Sequence, residues 1–380
     1  MRLLRDKAPR NDYLLLSVIA SPSASLRTGF AKQSVDCRTV FILLALLIVL
    51  RATGVFAVEP SVEEISKNKV HHAEAVRFTN PWCAGCAARS RWDFLKWQLS
   101  SNPYEEEKKK PVTFNVVKPD FKNLDESGKD YAVWLGHSTV LIKSNGKTII
   151  TDPVFWDVFF FIKRRTSLPI DPSALPKIDF VLISHGHYDH LNTKSIEYLK
   201  ERFDPVFITP LGYEEYFSSL GIEKLIQLDW FESFEAGGMK ITSLPVQHWS
   251  KRKLFGDNTM LWASYLMEAG KRKYYWVGDS GYYRGYAEIG EKFGPMDVFF
   301  VPVGAYEPRW FMKTYHMNPE EALQAAKDVA ARTFIPIHWG TFDLTDEPMD
   351  FPIKRLKEIY EEKGNPVLKI LEHGGAIIFE

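Results

Sequence analysis

Short, almost continuous apolar runs separated by polar turns dominate the chain from residue 131 onward. YAVWL (131–135), TVLIKS (139–144), KTIITD (147–152) and DFVLIS (179–184) are bounded by Gly, Pro, Asn or Asp, the pattern of buried strands. Asn145-Gly146 between the second and third runs is a two-residue hairpin signal. KSIEYLKERF (194–203) changes to helical spacing, and VFITP, a short helix around Glu214 to Leu220, and LIQLD come next. Strand rhythm returns in MKITSLPVQHW, MLWASYLME, KYYWVGDS and DVFFVPVGA. Helices are predicted from Pro319 to Ala331 and from Pro352 to Glu362, and TFIPIHW and AIIF close the chain as strands. Strands first and last with helices between them predict an α+β domain of two packed sheets with helices on the outer faces. No internal repeat is visible.

The first third of the chain has a different texture. Residues 1–38 are polar without a period and read as disordered, or as lying upstream of the true start. Within 39–57, the run VFILLALLIVL (Val40 to Leu50) lies between Arg38 and Arg51 and gives way to small residues ending at Ala57. That pattern predicts a signal sequence or membrane anchor, so that the protein is exported (periplasmic, if bacterial) or membrane-associated. A cytoplasmic location is the alternative. Residues 58–111 form an N-terminal extension, and the main domain covers 112–380. In the extension, Cys83-Ala-Gly-Cys86 has the spacing of half a zinc knuckle or a redox pair, with a structural role favoured because no second pair exists. Trp92, Phe94, Leu95, Trp97 and Leu99 are expected to pack on the main domain, and EEEKKK (105–110) to form a solvated linker.

Lys+Arg and Asp+Glu balance at 48 each, so no global field favours nucleic acid as a partner. Three cysteines, Cys37, Cys83 and Cys86, are too few for a disulfide framework, and none lies near the chain's main concentration of metal-binding residue types. That concentration is ISHGHYDHLN (183–192), which places His185, His187, Asp189 and His190 directly after an apolar strand. Imidazole and carboxylate are the ligands that zinc-like cations prefer. In a tight turn, His185 and His187 can face one metal while Asp189 and His190 face a second. His248, Asp279 and His338 each follow an apolar strand beside small or turn-forming residues. Strand ends meeting at one sheet rim would gather all seven, a number that suits two metals. Asp152, at the end of KTIITD, can orient the loop by accepting a hydrogen bond, or simply cap its turn.

These motifs, with GHSTVLI, TDPVF, PVQHWSKR, VGDSGYY, VPVGAYEPRWFM, HMNPEEA and IHWGTF, resemble the metallo-β-lactamase superfamily from about Phe114 to the C-terminus. The closest similarity is to its N-acyl-phosphatidylethanolamine-hydrolysing phospholipase D branch. The resemblance implies a four-layer αββα sandwich and makes 112–380 a metallo-hydrolase domain. It implies two Zn2+ ions, the first held by His185, His187 and His248, the second by Asp189, His190 and His338, with Asp279 bridging. The expected reaction is hydrolysis of N-acyl-phosphatidylethanolamine to an N-acylethanolamine and phosphatidic acid. Asp189 and His316 are the candidate catalytic residues, and Tyr315, His316, Trp310 and Phe311 the candidate substrate contacts. His316 is placed to bond phosphate or to protonate the leaving alkoxide, with capping or packing as the plainer role. Tyr315 stands where the mammalian enzyme has glutamine, so headgroup contacts should differ there. His137, in GHST, is read as structural.

A phospholipid substrate implies a membrane surface as partner. VFWDVFFFIKRR (154–165), with Lys163, Arg164 and Arg165, is the expected interfacial segment, and Lys251, Arg252 and Lys253 form a second basic patch. An oligomer is compatible with the sequence. Two enzyme alternatives remain on the same fold, a metal-dependent lactonase and a small phosphodiester hydrolase. A non-catalytic, membrane-tethered zinc protein is the alternative from another class, and a redox sensor through Cys83 and Cys86 a further one.

Overall fold

In the computed structural model, residues 60–380 are described, except 75–76, 84–89, 161, 253–256 and 362–365. The segments 1–38 and 39–57, Cys86 and Lys253 therefore lie outside the described residues. Among the described residues, no helix is long and apolar enough to cross a membrane.

Helix α1 (Val62–Asn68) begins in a capping box, with Ser61 and Glu64 each satisfying the other's backbone N–H. Strands β1 (His72–Glu74) and β2 (Arg77–Phe78) pair antiparallel, and α2 (Arg91–Leu99), α3 (Glu105–Lys108) and α4 (Phe121–Glu126) follow. The first large sheet takes β3 (Asp130–Gly136), β4 (Thr139–Ser144), β5 (Lys147–Thr151), β6 (Phe180–Leu182), β7 (Val206–Thr209) and β8 (Leu225–Gln227). Helix α5 (Thr193–Phe203) joins β6 to β7, and α6 (Glu214–Ser219) joins β7 to β8. The second sheet takes β9 (Ser233–Ala236), β10 (Met239–Leu244), β11 (Ser264–Ala269), β12 (Arg272–Trp276), β13 (Val298–Pro302), β14 (Thr333–Ile337) and β15 (Val367–Leu368). Its connections carry α7 (Gly285–Phe293), α8 (Arg309–Met312), α9 (Pro319–Asp328) and α10 (Phe351–Ile359), and β16 (Ala376–Phe379) returns to the first sheet.

Both sheets follow one plan. The first runs β16-β3-β4-β5-β6-β7-β8 and the second β15-β14-β13-β12-β11-β10-β9. In each, an antiparallel meander gives way to parallel strands, at β5–β6 in one and β12–β13 in the other. Strand alternation builds the layers. Ala132 and Trp134 of β3 join the large core shared with the second sheet, while Tyr131, Val133 and Leu135 join the cluster under Ile196 and Leu199 of α5. The result is the expected αββα sandwich.

The predicted Asn145-Gly146 turn is present, with φ of 49° and 72°, as a two-residue turn with both central residues left-handed requires. Helix α7 and strands β9 and β15 were not legible. Two glycines inside α7 obscure its period, and the two strands are very short.

The extension differs from expectation in two respects. Only Trp97 of α2 is well anchored, stacked on Phe311 at 5.1 Å and donating to Asp346 Oδ1 at 2.9 Å. Trp92, Leu95 and Leu99 are exposed (78%, 44% and 78%), because their i, i+3, i+7 spacing puts them on one stripe, turned away from Trp97. Secondly, EEEKKK contains a helical turn rather than only linker, and Lys108 ties it to Asp343 at 2.5 Å. Cys83 is disulfide-bonded, which is compatible with the structural role favoured for it and with a redox pair, and leaves no free thiolate for a zinc knuckle.

Candidate metal centre

Strand direction gathers the site. β3, β5 and β6 of one sheet, and β10, β12 and β14 of the other, end at a common rim, where open α/β sheets present their ligand-binding residues. Residues just beyond these ends are His137, Asp152, the 185–190 loop, His248, Asp279 and His338. Three of them, His137, Asp152 and His338, have positive φ (52°, 29° and 62°). Non-glycine residues held there are strained, which points to a constraint imposed by the site. Before Asp279, Gly278 has φ of 69°, and a Cβ on it would meet Ser184 Cβ at 2.5 Å. Glycine thus lets the two sheet rims close.

All seven candidate ligands converge. His185, His187 and His248 present nitrogens within 4.8 Å of one another, and His137, Asp189, His190 and His338 form a second such group. Asp279 stands between them. Its Oδ2 lies 3.1 Å from His190 Nε2 and 4.0 Å from His248 Nε2, and its Oδ1 lies 3.1 Å from His338 Nε2.

Hydrogen bonds behind the rings fix which nitrogen faces inward. Ser184 Oγ donates to Asp152 Oδ2 at 2.6 Å and therefore accepts from His185 Nδ1 at 2.8 Å. His190 Nδ1 donates to the same Asp152 oxygen at 2.5 Å, and His248 Nδ1 to the Tyr315 carbonyl at 3.0 Å. Each of these bonds turns the ring's Nε2 toward the centre, the arrangement that outer partners impose on metal-binding histidines. Asp152 thus serves as an acceptor, as one sequence reading expected. Ser184 was missed, although it immediately precedes the histidine loop.

The electrostatics suit a cation. Burial holds His185 and His248 well below the ordinary histidine range and pushes His187 down to about 4, so these rings keep their lone pairs at neutral pH. Burial also opposes charge on Asp279, but His190 and His338 outweigh it and hold its carboxyl well below the usual range. For His190, the carboxylates of Asp279, Asp189 and Asp152 override burial and raise its pKa well above the ordinary value. Three carboxylates around one ring, two of them buried, are a strong local attraction for positive charge. His190 Nε2, His338 Nε2 and Asp279 Oδ1 are buried without a well-formed hydrogen bond among the described residues, as atoms reserved for a metal would be. The donor set therefore fits a divalent cation.

The remaining candidates sit at the margin. His316 Nδ1 is 3.8 Å from Asp279 Oδ2, with 15% of its side chain exposed, and burial lowers its pKa to about 4. Tyr315 and Phe311 are buried, whereas Trp310 is exposed with Lys96 4.8 Å above its ring. His137, read as structural, donates from Nε2 to Asp189 Oδ2 at 3.0 Å and so belongs to the site. A strand end, the signal that found the other ligands, marks it too.

The expected interfacial segment is corrected in part. Val154 and Phe155 are buried, and Arg164 turns inward to donate to the carbonyls of Val154 (2.6 Å) and Leu135 (3.2 Å). Phe160, Lys163 and Arg165 remain exposed. In the second basic patch, Arg252 bonds the Leu191 carbonyl at 2.7 Å and covers the Tyr188 ring at 4.2 Å, a structural employment.

A sequence profile of the β-lactamase superfamily domain matches residues 147–339. Fold and rim together define a metal-dependent hydrolase. The N-acyl-phosphatidylethanolamine-hydrolyzing phospholipase D 1 of Caenorhabditis elegans is 38% identical over 266 residues, covering 66% of this chain and 74% of the relative. The mitochondrial enzyme of the same description in Saccharomyces cerevisiae is 36% identical over 245 residues, 62% of this chain and 52% of that protein. This chain belongs to the metallo-β-lactamase superfamily, in its N-acyl-phosphatidylethanolamine-hydrolysing phospholipase D-like branch. Among solved structures, a metallo hydrolase of the archaeon Ignicoccus hospitalis superposes with a TM-score of 0.53 at 21% identity, covering 66% of this chain and 99% of that one. At that identity the likeness concerns the fold.

Proposed function

We propose that the protein is a dizinc phosphodiesterase of phospholipase D type that hydrolyses N-acyl-phosphatidylethanolamine to an N-acylethanolamine and phosphatidic acid. The observation that carries this reading is the position of Asp279 between the two ligand sets, its carboxylate 4.0 Å from His248 of the first and 3.1 Å from His190 and His338 of the second. His185, His187 and His248 would hold one zinc, Asp189, His190 and His338 the other, and Asp279 both. Bound zinc supplies Lewis acidity toward a phosphoryl oxygen and lowers the pKa of water toward neutrality. The names of the C. elegans and yeast relatives support the lipid substrate.

The chain's own residues orient and exclude. Asp152 and Ser184 fix the tautomers of His190 and His185, and the Tyr315 carbonyl fixes that of His248. His316, neutral at physiological pH because of its burial, offers a ring N–H to a phosphate oxygen rather than a ready proton for the alkoxide. In this reading, 112–380 is the hydrolase domain and 58–111 an extension carrying α2. The stripe of Trp92, Leu95 and Leu99, together with Trp310 and Phe160, supports contact with a lipid surface.

The test is turnover of N-acyl-phosphatidylethanolamine vesicles by purified full-length protein, with metal content measured before and after chelation. Two zincs per chain, activity lost on chelation and regained with zinc, and N-acylethanolamine as product are expected. Turnover of a soluble lactone or cyclic phosphodiester with no action on the vesicles would overturn the substrate assignment.

A further inference from the structure

The segment from α1 to Trp82 lies outside the stretch matched by the superfamily profile, yet it reaches the metal centre. Asn80 is 6% exposed and faces the backbone of His248. Its Nδ2 donates to the His248 carbonyl at 2.7 Å, and its Oδ1 accepts from the His248 N–H at 3.2 Å. Trp262 Nε1 donates to the same Oδ1 at 3.2 Å. One primary amide thus pairs both backbone groups of a fully buried candidate ligand.

His248 needs such a partner. Strand β10 ends at Leu244, four residues earlier, so no sheet neighbour continues to His248. A buried peptide group without a partner is costly, and one free to seek another would rotate the ring attached to it. Among side chains, only a primary amide can donate and accept through adjacent atoms in this way. Aspartate in its place could accept but not donate, and alanine could do neither.

The segment is itself fastened. Val62 and Ile65 of α1 are buried, and Trp82 packs 4.4 Å from the Tyr283 ring. His71 Nε2, His72 Nε2 and Lys69 Nζ surround the buried Asp229 carboxylate at 2.6, 2.9 and 2.9 Å, and the His71 ring stacks on Trp230 at 4.2 Å. With the Lys69 ammonium already on this carboxylate, the cluster is a clasp rather than a second metal site. Beyond Asn80, the Phe78 N–H donates to the Asn258 carbonyl at 2.9 Å, and the Asn258 side chain accepts from Ser250 N–H at 3.1 Å. Ser250 Oγ in turn accepts from the Gly186 N–H of the histidine loop at 3.0 Å.

We infer that Asn80 is a positioning residue for His248, and that the Ser61–Trp82 segment is a working part of the metal centre, a strap that holds one ligand in place from outside the sandwich. The inference rests on the reading that His248 holds a metal.

The experiment titrates zinc into chelator-stripped full-length protein against a chromophoric competitor, for wild type, Asn80→Ala, Asn80→Asp and His248→Ala. Asn80→Ala should weaken one of the two zinc sites about tenfold to hundredfold, the range for outer partners of metal ligands, and leave the other unchanged. Asn80→Asp, of nearly the same shape, should shift the same site. In both variants kcat should fall with KM little changed. Equal weakening of both sites would mark general destabilisation and overturn the inference. So would wild-type affinities and kcat in both Asn80 variants while His248→Ala loses one zinc. If His248→Ala retains both zincs at wild-type affinity, the assignment of His248 as a ligand fails and the inference with it.

Discussion

The two sheets furnish the metal centre in different ways. The first gives four candidate ligands within six residues, on one loop, and orients them with side chains. Asp152 holds His190, Ser184 links Asp152 to His185, and His137 holds Asp189. The second gives His248, Asp279 and His338 from three separate strand ends, and holds His248 through main-chain groups. Its ring is fixed by the Tyr315 carbonyl and its backbone by Asn80. A compact loop can carry its own supports. Scattered ligands depend on whatever segment passes nearby, so the two halves should respond differently to mutation.

Asp279→Asn should have the largest effect, because this residue is shared by both halves. The amide keeps the volume but loses the charge that His190 and His338 face at 3.1 Å. We expect kcat to fall on the order of a thousandfold, the upper range for removing one preorganised electrostatic group, with loss of bound metal. Retention of kcat within tenfold and of two zincs would end the view that the halves meet at this residue.

That asymmetry also decides what could be read in advance. HGHYDH is legible because its ligands are contiguous and follow a strand. His248, Asp279 and His338 became legible through context, each at the end of an apolar run. Asn80 carries no such mark. It acts on a residue 168 positions away, and nothing in its neighbourhood departs from an ordinary turn. The exposed stripe of α2 was misjudged for a related reason. Its aromatic composition says that apolar surface exists, but only the phase of Trp92, Leu95 and Leu99 against Trp97 says which part faces inward. Likewise, three adjacent cations at 163–165 suggested a charged surface, whereas Arg164 satisfies internal carbonyls. Composition reports what a segment offers; partners distant in sequence decide what is used.

Asp152→Asn probes the first half alone. It should weaken the zinc site of His190 about tenfold to hundredfold, weaken that of His185 through Ser184 by less, and lower kcat accordingly. An asparagine can still accept from one neighbour, but it must also place two N–H groups among Ser184 and His190, which already donate there. If both zinc affinities stay at wild-type values, side-chain support from the first sheet is dispensable and the contrast between the halves fails.

The smallest effect is expected at His137, where the two halves touch. Its carbonyl accepts the His338 N–H at 2.9 Å and the Trp134 Nε1–H at 2.8 Å, while its ring bonds Asp189 and lies 4.0 Å from the His338 ring. His137→Phe removes the Asp189 bond but leaves the backbone link between the sheets and a ring of similar size in place. The second-sheet ligand should therefore stay where it is, and only Asp189 should loosen, lowering kcat about tenfold, the lower end for a lost outer partner. Burial keeps the native ring neutral, with its pKa down to about 3, so the bond it donates does not vary with pH across the neutral range. The ratio of wild-type to His137→Phe activity should accordingly be flat in a pH profile around neutrality. A ratio that changes steeply with pH there would mean that the ring titrates in the working enzyme, and that the first half is held by a charge rather than by a neutral hydrogen bond.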